Sequence, residues 1–131
     1  LELTEGEAVA DVDKTIKKMQ TINKLGVLIA LDDFGTGYSS LAYLKFFPIH
    51  TLKIDKSFTD GLPSDGYDTA IVKTTMVMAH HLGLTVVVEG VESTEQLEFL
   101  KKQGCQLYQG YLFSPPLEQE KIEKILLEQL R

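Results

Sequence analysis

Residues 27–31 read VLIAL, five aliphatic side chains in a row between Gly26 and the pair Asp32-Asp33. A strand with one wet face alternates apolar and polar residues, so an unbroken run of this length marks a strand buried on both faces. Such strands belong to parallel sheets, which need a crossover connection, usually a helix, between neighbours. The sequence supplies one each time. Val9, Val12, Ile16, Met19, Ile22 and Leu25 recur at helical spacing with Lys and Asp between them, predicting an amphipathic helix that ends at Gly26 as a C-cap. A second unit runs as a helix over 68–82, passes Gly83 and enters LTVVV, which ends at Glu89. A third opens with the capping-box pair Ser93 and Gln96, continues through Leu97 and Leu100, passes Gly104 and enters CQLY ahead of Gln109-Gly110.

The remaining segments fit the same plan. PIHTLKID at 48–55 alternates Leu52 and Ile54 with Lys53 and Asp55, a short strand after a predicted helix over 39–46. Residues 117–130 carry Ile122, Ile125, Leu126 and Leu130 at helical spacing, and Leu1 and its neighbours read as the end of a strand. Alternation of strands and helices with short connections specifies parallel strands and right-handed crossovers. From Gly26 to Asp32 is six residues, from Gly83 to Glu89 six, and from Gly104 to Gln109 five, so each capping glycine is followed one strand later by a polar group. In a (β/α)8 barrel the carboxyl ends of all strands face one mouth, whereas a doubly wound sheet gathers them only near a switch point. A complete barrel takes roughly 250 residues. The expected fold class is therefore α/β, a partial TIM-like (β/α)8 barrel of 131 residues whose N-terminal strands are missing.

The strand ends bring together Glu2 with Glu5, Asp32, Asp33, Lys53, Glu89 and Gln109. Converging carboxylates repel, and burying them unpaired costs several kcal/mol each, so a cation is expected among them. Oxygen donors without His or Cys favour Mg2+ or Mn2+ over zinc. Side chains at 32 and 33 diverge in a regular strand, but a bend there would turn both inward to bridge two ions, an arrangement suited to phosphoester hydrolysis. Gly35 and Gly37 in DDFGTGYSS allow positive φ and close backbone approach, and Ser39 or Ser40 can cap the next helix. No third glycine follows Gly35 and Gly37 at the required offset, which excludes the dinucleotide-binding fingerprint.

Composition narrows the class further. A net charge of -6 argues against binding a DNA or RNA backbone. No apolar run approaches the ~18 residues of a membrane span. Cys105, the single cysteine, has no internal disulfide partner, which suits a reducing cytoplasm.

In order along the chain, ELTE at 2–5, DDFGTGYSSL at 32–41, LKIDKSF at 52–58, EGVE at 89–92 and QGYLFSPPL at 109–117 resemble the successive motifs of the EAL-domain cyclic di-GMP phosphodiesterases. The resemblance implies a bacterial signalling enzyme that hydrolyses cyclic di-GMP to linear pGpG with two Mg2+ or Mn2+ ions. It makes Glu2 a metal ligand, Asp32 the bridge between both metals, and Asp33 and Glu89 ligands of the second. Glu89 also becomes a candidate for orienting or deprotonating the attacking water. Lys53 would hold water or phosphate, Gln109 would position Glu89 and the water, and Glu5 would fasten the loop containing Gly35 and Gly37. It further implies a homodimer of the intact domain, with upstream sensor or GGDEF-type domains and an inner-membrane tether as options for the parent protein.

The EAL motif itself and an Asn ligand from a following strand are absent from this sequence. On this basis residues 1–131 form the C-terminal portion of a single EAL domain, inactive alone. The alternative is a catalytically silent EAL domain that acts as a cyclic di-GMP receptor or protein-interaction module. Other polar and aromatic residues have plainer expectations. Glu92 reads as a surface or helix-entry residue, His80 and His81 as helix-end groups, and His50 has no evident partner. Cys105 reads as a small buried strand residue, and Phe46, Phe47 and Phe58 as packing between helices and barrel.

Overall fold

The computed structural model describes residues 1–37 and 41–129. Five parallel strands, β1 (Glu2–Thr4), β2 (Ala30–Phe34), β3 (Thr51–Ile54), β4 (Thr85–Val88) and β5 (Leu107–Tyr108), lie side by side in chain order. A doubly wound sheet reverses its strand order at a switch point; this sheet does not, and winds in one direction as an arc of a barrel does. Helices α1 (Glu5–Ala10), α2 (Val12–Asn23), α3 (Leu41–Leu44), α4 (Lys56–Thr59), α5 (Gly66–His81), α6 (Thr94–Lys102) and α7 (Gln119–Gln129) connect and follow them.

Strand register sorts the side chains. Leu3, Leu31, Leu52 and Val86 form one row across four strands and point to the helices, where Leu31 and Leu52 are fully buried. One core cluster joins Ala8, Met19, Leu31, Leu44, Leu52 and Ala79; a second joins Ile54, Phe58, Val72, Val88, Val91 and Leu100. The rows between them, including Glu2, Asp32, Lys53, Val87 and Leu107, belong to the opposite, concave face.

Several boundaries differ from expectation, each for a local reason. The helix expected over 9–25 breaks at Asp11, whose carboxylate accepts from Lys14 N and caps α2. Before it, Thr4 and Glu7 form a capping box that starts α1. The VLIAL strand lies three residues later than its aliphatic run, because the ladder with β1 begins at Ala30. Val27 and Leu28 are consequently exposed, and Asp32 and Asp33 sit inside β2 rather than after it. Of the helix expected over 39–46 only Leu41–Leu44 is seen, and caps at Ser39 or Ser40 fall outside the described residues, as does Leu130. The short helix α4, capped by Asp55 onto Ser57 N, was not foreseen.

Gly26, Gly83 and Gly104 all adopt positive φ after their helices, as capping requires. Phe47 and Phe58 are buried, but Phe46 is 55% exposed, with the Lys45 ammonium over its ring. Cys105 is half-buried rather than fully so, its thiol donating to Leu107 O.

Gly110 marks where two loops touch. Val91 N donates to Gln109 O (3.1 Å), Leu112 N donates to Val91 O (3.0 Å), and a Cβ on Gly110 would overlap the Val91 backbone itself. Fully buried Val91 has nowhere to move. Gly110→Ala is therefore expected to cost about 1–3 kcal/mol, read as a lower urea midpoint at unchanged slope; an unchanged midpoint would contradict this packing.

Candidate active site

Three strands and the segment just after a fourth deliver their polar groups to one rim of the sheet. The Lys53 ammonium on β3 lies 3.0 Å from Glu2 Oε1 on β1, 3.5 Å from Asp32 Oδ2 on β2 and 2.8 Å from Glu89 Oε1, just past β4. The Lys53 side chain is 9% exposed, against 20% for Asp32, 18% for Glu89 and 59% for Glu2. Burial alone would pull the ammonium's pKa down. Hydrogen bonds to Glu89 and Glu2 and the charges of Glu89 and Asp32 outweigh it and hold the pKa above that of an ordinary lysine. A raised folded-state pKa contributes stability that is complete below the ordinary lysine value of about 10.4 and is lost only as pH rises through the folded-state value. Lys53 is thus fully charged at neutral pH.

The bend anticipated at Asp32-Asp33 is present. The β2–β3 register shifts between Leu31 and Phe34, and Asp33 takes φ 55°, the left-handed region a non-glycine residue enters only when its surroundings hold it there. Asp33 N donates to Asp32 Oδ1 (2.9 Å) within this turn. The result is that Asp32, Asp33 and Glu89 each place one carboxylate oxygen within 4.8 Å of the others. Burial, reinforced by the charges of Asp32 and Asp55 and eased by Lys53, raises the Asp33 carboxyl above the usual aspartate value. A close set of carboxylate oxygens fits a hard divalent cation such as Mg2+ or Mn2+. Glu2 stands apart from this trio and faces the lysine.

Behind the rim, Glu5 is 2% exposed and its Oε2 accepts from Gly35 N (2.9 Å). Gly35 has φ 93° and lies against the Phe58 ring, so this glycine uses both the freedom and the close approach expected of it. Gly37 lies near Glu5 Oε2 but does not adopt positive φ. Gln109 reaches the rim through its backbone, donating to Val88 O (2.8 Å), with its side chain exposed.

The other polar residues fall elsewhere. His80 and His81 end α5 and are exposed, with His81 Nδ1 2.8 Å from Val77 O. His50 has a partner after all, accepting from Ile29 N at 3.4 Å. Glu92 pairs with Lys56. The pairing of Lys56 and the contacts of Gln96 beyond its cap are not marked by local pattern; Asp55, an N-cap residue ahead of Lys56, is the one sequence signal nearby.

Removing Lys53 would leave the partly buried Asp32 and Glu89 without their shared counterion. Lys53→Met is expected to destabilise the chain by about 1–3 kcal/mol in the presence of a chelator, with part of the loss recovered by Mn2+. Urea melts under the two conditions check this, and equal stability of variant and wild type in chelator would count against it.

Residues 1–116 match the EAL domain family. The cyclic di-GMP phosphodiesterase NbdA of Pseudomonas aeruginosa is 46% identical over 126 residues, covering 96% of this chain and 16% of that protein. The MucR phosphodiesterase of the same organism, solved in complex with c-di-GMP, superposes with TM-score 0.89 at 43% identity, over 93% of this chain and 49% of that one. BlrP1 of Klebsiella pneumoniae, solved with cyclic di-GMP and manganese or calcium, gives TM-score 0.82 at 37% identity, over 88% of this chain and 29% of that one. This chain therefore spans 16% of the curated relative and less than half of these two solved chains. Motif order, single-direction parallel sheet and carboxylate rim agree with these likenesses: the chain belongs to the EAL domain family and folds as part of its TIM barrel.

Proposed function

We propose that this chain is the C-terminal portion of an EAL domain whose intact form hydrolyses cyclic di-GMP to linear pGpG. The observation that carries the reading is the convergence of Asp32, Asp33 and Glu89 beside Lys53 on one rim. Relatives named as cyclic di-GMP phosphodiesterases, and one solved with manganese and cyclic di-GMP, support it.

In this reading Asp32, Asp33 and Glu89 hold Mg2+ or Mn2+, with Glu2 joining them once the Lys53 ammonium turns to substrate. The ions would supply Lewis acidity and a water acidic enough to attack near neutral pH. Glu89 takes a proton from the attacking water as it adds to one phosphorus, one P–O3′ ester bond breaks, and the departing 3′ oxygen takes up a proton from solvent to become a hydroxyl, leaving a 5′-phosphate on the linear dinucleotide. Lys53 faces the charge that develops on the phosphoryl oxygens, where a preorganised ammonium acts most strongly. Gln109 orients the water against Glu89, and Glu5 fixes the Gly35 loop at the mouth. Substrate entry from the cytoplasm, a homodimer of intact domains, and an upstream sensor or GGDEF-type domain complete the proposal. Among the described residues no helix is long and apolar enough to cross a membrane.

The test compares this chain with the intact barrel in Mg2+, in Mn2+ and in excess chelator. Only the intact form should yield pGpG, and chelation should stop it. Asp32→Ala or Glu89→Ala in the intact domain should lower kcat by about a hundredfold or more; retention of activity within about tenfold would refute these roles.

A further inference from the structure

We propose that Gln96 is a positioning residue for Glu89, locking the loop at 89–93 to the helix that follows Lys53. The proposal rests on the phosphodiesterase reading for its activity arm alone. Gln96 is 8% exposed, and both its amide oxygen and its amide nitrogen are engaged. Its Oε1 accepts from Glu92 N (2.8 Å) and Ser93 N (3.0 Å), and its Nε2 donates to Thr59 O (3.0 Å). A capping box requires only the bond to Ser93 N, which a glutamate would make equally well. The other two bonds have nothing to do with starting α6.

Thr59 is fully buried at the end of α4, six residues after Lys53, while Glu92 lies three residues after Glu89. The amide therefore ties the loop that carries Glu89 to the segment that carries Lys53. Three neighbouring contacts brace the same junction. The Lys56 ammonium pairs with the Glu92 carboxylate, and its stem covers Gly90, which has φ 70° and no room for a Cβ. Glu89 N donates to Ile54 O (3.0 Å), which extends the β3–β4 ladder to the reacting rim. Only a side chain with both an acceptor and a donor serves this junction, so glutamine is required where capping alone would accept glutamate.

That difference supplies the test. In the intact domain, Gln96→Glu keeps the capping acceptor but turns a carboxylate oxygen toward Thr59 O. It should lower kcat about tenfold with KM little changed, and weaken Mn2+ binding, read by electron paramagnetic resonance titration, by about tenfold. Gln96→Met, which carries no buried charge, should do the same and guards against a variant that fails only because the carboxylate disrupts folding. Wild-type kcat and Mn2+ affinity in folded Gln96→Glu or Gln96→Met would overturn the proposal. Should the wild-type domain show no turnover at all, the phosphodiesterase reading falls. The Mn2+ titration then decides alone: weaker binding in both variants upholds the positioning role, and equal binding ends it.

Discussion

One ammonium group organises the carboxyl end of this sheet. Lys53 reaches carboxylates from β1, from β2 and from the loop after β4, so a single side chain balances charges delivered by three separate segments. Without it the strand ends would repel just where they must lie closest. The hydrophobic rows explain why the strands adjoin; the lysine explains how their polar ends tolerate one another. The carboxylates it gathers, Asp32 and Glu89 with Asp33 beside them, form a close oxygen set of the kind that fits a hard divalent cation.

The second constraint is backbone shape. Adjacent aspartates in a regular strand face opposite sides, and only the register shift and positive φ at Asp33 bring both to the rim. Two residues on, Gly35 is left-handed again, and its amide donates to the buried Glu5. β-Bulges of this kind re-aim side chains at active sites. The segment 32–35 is thus a unit in which carboxylate placement and loop anchoring share one distortion.

Much of this was legible in the residues. The alternation of elements follows from local pattern alone, the glycines at 26, 83 and 104 behave as caps, and Ser93 with Gln96 forms its box. Where expectation slipped, the deciding contact was either distant or made by a side chain to nearby backbone. β2 begins at Ala30 because Leu1 O receives Ala30 N, a pairing the aliphatic run could not announce. The break at Asp11 is a competition between helix continuation and side-chain capping, which spacing of apolar residues does not register. Nothing local to Gln96 points to Thr59, 37 residues away. Glu2 is a metal ligand by the family resemblance, and its 3.0 Å contact with Lys53, two strands away, is a pairing that no local pattern announces.

The two apolar clusters meet along β3, with Leu52 in one and Ile54 in the other, and Lys53 between them on the opposite face. Phe34, beside the aspartate pair, belongs to the first cluster, and Val88, beside Glu89, to the second. The carboxylate trio therefore straddles a seam between two packing units. Val86 packs against both clusters, so the units are joined through β4 as well as β3, and the spacing of Asp32 and Asp33 from Glu89 is set by how the two interiors fit together rather than by either one alone.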